Sequence, residues 1–147
     1  MKGCESMRIS TKGRYALRLM LDLAMNSNGG FISLKAVAQR QGISDKYLEQ
    51  IIHQLSKAEL VQSARGAQGG YRLARASNEY SVGEILRTVE GSLAPVSCLD
   101  CATPCDKFDS CLTIGLYKKI QDAIDGVVDN TTLADILEDY SKKHTGC

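Results

Sequence analysis

Apolar side chains return every three or four positions at the start of the chain, at Ala16, Leu17, Met20, Leu21 and Ala24. That spacing predicts an amphipathic helix over residues 10–27, ended by "NSNGG", whose residues tolerate a left-handed backbone. A tighter pattern follows in "SLKAVAQRQGISDKYLEQIIHQLSKAEL". Ser33 is placed to cap a short helix through Gln41, and Gly42 to close it. Ser44 caps a second helix over 45–59, with Leu48, Ile51, Ile52 and Leu55 on one face. Two short helices around a glycine turn are the sequence form of a helix-turn-helix, and Ala38 is small enough to let them cross closely.

Leu60–Arg65 and Tyr71–Arg75 then predict two short strands joined by the turn "GAQGG". The pair reads as a wing with Arg65 at its tip and Arg72 and Arg75 on the return strand. The turn is not a phosphate-binding loop, because the Gly-Lys-Ser/Thr ending is missing. "SVGEILRTVEG" opens with the capping pair Ser81 and Glu84 and closes at Gly91, predicting a helix that packs the wing against the core. Helical spacing resumes at Leu112, Leu116, Ile120, Ala123, Ile124 and Val127, and Thr132 with Asp135 predicts the cap of a last helix over 133–142. The stripe on 112–128 exceeds the needs of a small winged-helix core, so a homodimer seam is its natural use. The expected fold is mainly α: a winged helix-turn-helix domain over 7–92, a cysteine-rich loop over 93–111, and a helical dimerisation region over 112–142.

Composition changes the picture in two ways. The net charge of +1 conceals a split: residues 1–78 hold 12 Lys and Arg against 5 Asp and Glu, residues 79–147 hold 6 against 12. A basic half suits a polyanion, and with a helix-turn-helix the expected partner is double-stranded DNA. Arg65 on a narrow wing tip suits the minor groove, whose negative potential attracts a guanidinium. Lys46, Glu49 and Gln50 lie opposite the apolar face of the second helix and are expected in the major groove, where Gln pairs with adenine and Glu accepts from cytosine. Arg8, Lys12, Ser44, Tyr47 and Arg72 complete the expected DNA-contacting set; His53 reads as a helix-surface residue. Two His and no nucleophile–base constellation argue against an enzyme. No apolar run reaches the roughly 18 residues of a membrane span, and Met1–Ser6 lacks the apolar segment of a secretory signal. A cytoplasmic protein is expected.

The second change is the cysteines. Four of the six fall in "CLDCATPCDKFDSC", at Cys98, Cys101, Cys105 and Cys111. In a reducing compartment such clusters more often hold metal or do redox chemistry than form structural disulfides. Four thiolates complete the ligand shell of an iron–sulfur cluster. A Cys₄ set with a C-x₂-C element is equally a zinc pattern, and a disulfide switch needs only two of them.

Four stretches, "MRISTKGRYAL" at 7–17, "QGISDKYLEQI" at 41–51, "ARGAQGGYRL" at 64–73 and "SVGEILRTVEG" at 81–91, closely resemble the family of bacterial transcription regulators that includes IscR, NsrR and CymR. The resemblance runs from residue 7 to about 140. It implies a dimeric winged-helix regulator, with an operator of two half-sites, whose cysteine loop precedes the dimerisation helix and holds a cluster, 2Fe-2S in IscR-like members. Such members repress iron–sulfur biogenesis genes and use three Cys and a His placed three residues after the third Cys. Cys105 and Cys111 keep the five-residue gap; Cys98 or Cys101 supplies the first ligand; Ile114 stands in the His position. The fourth ligand then comes from the redundant Cys, His144, a carboxylate or an external thiol. NsrR-like members recruit an N-terminal Asp where this chain has Arg14, and CymR-like members lack the loop. The alternatives are a zinc- or cluster-stabilised nucleic-acid or protein-binding module without promoter-specific regulation, and a cysteine-metabolism regulator of the CymR type.

Overall fold

The computed structural model describes residues 9–99 and 106–145. Arg8, Cys101 and Cys105, named above as site residues, lie outside the described residues, as do Cys4 and Cys147.

Helix α1 (Thr11–Asn26) carries Ala16, Leu19, Met20 and Leu23 into the core. Helix α2 (Leu34–Gln41) and helix α3 (Asp45–Lys57) form the expected helix-turn-helix. Each predicted cap is made: Ser33 Oγ accepts from the Ala36 N–H at 3.2 Å, and Ser44 Oγ from the Tyr47 N–H at 3.2 Å. Gly42 ends α2 with φ 64°, a left-handed value that glycine takes without a Cβ penalty. The Ile43 N–H folds back to the Ala38 carbonyl at 3.1 Å, and buried Ala38 leaves the space for that turn. Leu48, Ile51, Ile52 and Leu55 anchor α3, each burial worth roughly 1.5–3 kcal/mol.

Strand β1 (Val61–Ala64) pairs antiparallel with β2 (Gly70–Leu73), Val61 opposite Leu73. The wing has a third participant that the sequence did not indicate. Ile32 exchanges both backbone hydrogen bonds with Tyr71, at 2.8 and 2.7 Å. A one-residue bridge has no alternating pattern to betray it. It explains Gly70, where φ is 147° and an added Cβ would strike the Ile32 carbonyl.

A 3₁₀ turn at Ser77–Glu79 leads to Tyr80, whose buried hydroxyl donates to the Leu60 carbonyl at 2.6 Å and accepts from the Arg75 N–H at 2.9 Å. Helix α4 (Val82–Glu90) is capped by Ser81. It packs on α1 and α3 and not chiefly on the wing, contrary to expectation. Its apolar face of Ile85, Leu86 and Val89 meets the helical core, and the wing reaches α4 through the Arg75–Glu84 ion pair of 2.7 Å.

Helix α5 (Ile114–Val128) has no buried residue in the single chain, and Leu116 and Val127 on its stripe are exposed. Helix α6 (Leu133–Thr145) begins with the predicted reciprocal cap: Thr132 N–H to Asp135 at 2.9 Å, Asp135 N–H to Thr132 Oγ1 at 3.0 Å. Its first residue, Leu133, is fully buried in the winged-helix core. Backbone bonds from Val82 to the Thr131 carbonyl, 2.8 Å, and from Leu133 to the Tyr80 carbonyl, 3.2 Å, fasten it there.

Asp22 is the one charged side chain buried among the described residues, 2% exposed. Arg40 meets it with two nitrogens, at 3.0 and 2.6 Å, and Gln41 Nε2 donates at 2.9 Å. Burial pushes its carboxyl pKa up, and the Arg40 and Gln41 hydrogen bonds outweigh this and hold it below the ordinary value. The folded value lies below the unfolded one, about 3.9. The stabilisation is therefore fully present above that pH and is lost as pH falls through the lowered folded value. Asp22→Asn is expected to cost about 1–2 kcal/mol at pH 7, with the gap to the native protein narrowing at pH 3. Urea midpoints at the two pH values measure it; a gap independent of pH would contradict the charge argument.

Candidate nucleic-acid interface and cysteine loop

Burial of one face of α3 fixes what the other shows. Lys46, Glu49, Gln50 and His53 are exposed, and none makes a side-chain hydrogen bond or ion pair among the described residues. Ser44 and Tyr47 sit at the same end in supporting places. Ser44 caps the helix, and half-buried Tyr47 packs edge-on to Tyr15 of α1, ring centroids 5.6 Å apart. Arg18 holds the opposite side of the unit, bonding the Gln41 side chain at 3.0 Å and its carbonyl. The geometry brings Lys46, Glu49 and Gln50 together as the sequence suggested.

The wing turn is shaped by glycines. Gly66 has φ 104°, and a Cβ at Gly69 would collide with the Ala64 carbonyl. Arg65 stands exposed at this tip with no side-chain partner among the described residues. Arg72 is placed differently. Its Nε donates to Gln62 Oε1 at 3.0 Å, its Nη1 to the Gly29 carbonyl at 3.1 Å, and its guanidinium lies 4.5 Å from the centroid of Phe31. It ties the wing to the α1–α2 connection. Lys12 lies half-buried in the first turn of α1.

Two thiols of the cysteine stretch are described, Cys98 and Cys111, both free and partly exposed. Cys98 sits in a 3₁₀ turn, Ser97–Leu99. Leu99 of the same turn lines an open cavity of about 590 Å³ between this segment, Arg87 of α4, and Gln121 and Asp125 of α5. Cys111 lies just before α5. Its sulfur is 3.4 Å from Thr113 Oγ1, and the Thr113 hydroxyl, then the backbone N–H groups of Thr113 and Ile114, hold the thiol below its ordinary pKa. Thr113, at the N-cap position, makes no side-chain cap bond to the helix. Ile114 has no side-chain donor for a metal. The Cys111 sulfur is suited to a thiolate ligand, and N–H donors to sulfur tune a cluster. The chemistry of the donor set fits an iron–sulfur cluster. No group of three or more His, Cys, Asp and Glu stands close enough to hold a metal among the described residues. His144 ends α6, stacked on Tyr140 with centroids 4.0 Å apart and Nδ1 2.8 Å from the Tyr140 carbonyl.

The sequence reading missed how α5 is joined to the winged-helix core. Arg87 of α4 reaches α5, bonding Asp125 at 2.7 Å and Asp129 beside it, while Gln121 supports Asp125 at 2.9 Å. Gly83 allows the approach, since a Cβ there would meet Asp129 and Arg87. Charged residues on an amphipathic helix carry no label for their distant partner.

A capped two-helix unit with an exposed polar face, a glycine-turned wing and a supporting helix that buries one face in the core define a winged helix-turn-helix DNA-binding protein. The family model described as "Rrf2: Iron-dependent Transcriptional regulator" matches residues 9–139, and the chain belongs to this family of transcription regulators. It is 40% identical over 131 residues to the HTH-type transcriptional regulator IscR of Escherichia coli, across 89% of this chain and 80% of that one. Among solved structures it is similar to IscR of T. potens, with 42% identity, TM-score 0.74 and coverage of 90% of this chain and 88% of that one. It is likewise similar to CymR, the global cysteine regulator of B. subtilis, at 41% identity and TM-score 0.73, covering 88% and 95%. No helix among the described residues is long and apolar enough to cross a membrane.

Proposed function

We propose that the protein is a homodimeric, IscR-like repressor that senses iron–sulfur cluster status through Cys98, Cys101, Cys105 and Cys111 and governs iron–sulfur biogenesis genes. The observation that carries this reading is the Cys111 sulfur, hydrogen-bonded at the start of a helix that Arg87 fastens to α4. A ligand held there acts on the same helix that orients the DNA-binding core. When bound, an iron–sulfur cluster supplies a reversible, oxidant-sensitive crosslink of the loop. The chain's own parts then do the rest. Thr113 and the start of α5 stabilise the Cys111 thiolate, Arg87 transmits the placement of α5 to α4, and α3 and the wing meet the operator. The exposed stripe of α5 pairs two copies, so that two α3 helices meet half-sites about 34–36 Å apart.

Iron and acid-labile sulfide counts with an absorption spectrum, on protein purified without oxygen, test the proposal. Iron and sulfide in equal amounts support it. One zinc per chain without sulfide would favour a static structural site.

Within this reading Lys46, Glu49 and Gln50 read bases, Arg65 enters the minor groove, Lys12 and Arg8 contact the backbone, and Ser44, Tyr47 and Arg72 hold the reading elements in place. Replacing Glu49 by Gln is expected to change which bases are preferred at one operator position, by roughly 1–3 kcal/mol of discrimination. Selection from a randomised operator library measures it; a uniform loss over all sequences would reduce Glu49 to a positioning role.

A further inference from the structure

The last residue of α4 grips the first turn of α1. Glu90 Oε1 accepts from the Ser10 N–H at 3.0 Å, the Gly13 N–H at 3.0 Å and the Ser10 hydroxyl. The fit is close enough that a Cβ on Gly13 would collide with this carboxylate. The first N–H groups of a helix have no partner within it and favour an anion. Here Glu90 takes that place for Gly13, sharing its N–H with the Ser10 hydroxyl, and for the N-cap residue Ser10, so these two amides are not left to bind a DNA phosphate, and the turn presents the Lys12 side chain beside them. Directly after Glu90, Gly91 turns the chain with φ 85° into the segment that carries Cys98. One helix of nine residues thus holds α5 through Arg87 and α1 through Glu90.

We infer that Glu90 is a positioning residue for DNA binding: it sets the first turn of α1, and with it Lys12, from the end of the helix that leads to the cysteine segment. The inference rests on the DNA-binding reading above. Ordinary capping would stabilise the fold without acting through Lys12, and the two roles separate in a double-mutant cycle. On the full chain purified without oxygen, Glu90→Ala is expected to weaken operator binding about tenfold, the scale of a lost helix cap. Glu90→Gln keeps an acceptor oxygen and should recover most of it. Lys12→Ala weakens binding as well, and the Lys12→Ala/Glu90→Ala double variant should bind no more than about twofold below Lys12→Ala alone.

Losses that multiply in the double variant, or an unchanged affinity in Glu90→Ala, would overturn the inference. Thermal melts of each variant establish that it is folded. If Glu90→Ala is not, Gly13→Ala replaces it in the cycle, displacing the carboxylate from the other side with the same expected outcome. Arg65→Ala and Lys46→Ala on the same operator keep the two ideas apart. If they lose affinity while Glu90→Ala does not, the interface stands and the positioning role falls. If none of these variants changes binding, the interface reading itself falls.

Discussion

Cys111→Ala is expected to leave anaerobic reconstitution with its iron and sulfide lost, and Cys105→Ala to match it. The two keep the spacing of the IscR-like ligands, and the Cys111 sulfur lies 3.4 Å from Thr113 Oγ1 just before α5, in surroundings that hold its thiol below the ordinary pKa. Alanine removes both the donor and the reason for that arrangement. Cys98→Ala and Cys101→Ala are expected to give partial or altered clusters, because either supplies the first ligand and the other is the nearest candidate for the fourth. Ile114 has no side-chain donor for a metal, so a Cys₄ shell is the simplest completion. Four thiolates place more negative charge at the cluster than three with a His, so its potential should lie below that of His-bearing relatives and vary little with pH near neutrality. Full iron in Cys111→Ala would remove the site. An unchanged spectrum in Cys101→Ala would leave Cys98 as first ligand and direct the search for the fourth to a carboxylate or His144.

The second large effect is expected at the wing. Arg65→Ala should weaken specific operator binding by about 1–3 kcal/mol, whereas Lys142→Ala should change it little. Arg65 is exposed on a turn that Gly66, Gly69 and Gly70 shape, with no partner among the described residues to occupy its guanidinium. Lys142 lies on α6 in an ion pair with Glu138. A guanidinium inserted in a narrow minor groove favours A·T-rich steps, so the loss should be largest on operators with A·T-rich flanks. Arg72→Ala should behave differently. Its guanidinium is already spent on Gln62, Gly29 and Phe31, so affinity should fall through a displaced wing while the slope of log affinity against log salt stays as in the native protein. Equal affinities for the native protein and Arg65→Ala at matched salt would contradict the wing assignment.

Local chemistry made the DNA-binding unit legible. Ser33, Gly42 and Ser44 announce helix ends because caps are satisfied within three residues of themselves, and the structure makes each bond they promise. The Thr132–Asp135 cap was legible for the same reason. Pairings across the chain were not. Nothing near Asp22 points to Arg40, although a carboxylate between Leu21 and Leu23 on an apolar helix was a sign that some cation must meet it. The Ile32–Tyr71 bridge is one residue long and has no period. Leu133 looks in sequence like one more position of a helical dimerisation region, and only its burial shows that the start of α6 belongs to the winged-helix core. The same holds for Glu90, which ends a helix as ordinary surface carboxylates do, yet caps a helix 77 residues away in the chain.

The central claim is that the state of the cysteine loop sets the affinity for DNA. Titration of one labelled operator with a single anaerobic preparation, before and after its iron is removed by a chelator, measures this directly. The expected result is a shift of roughly tenfold or more between the two titrations, absent in Cys111→Ala; superimposable curves from a preparation shown to gain and lose iron would contradict it.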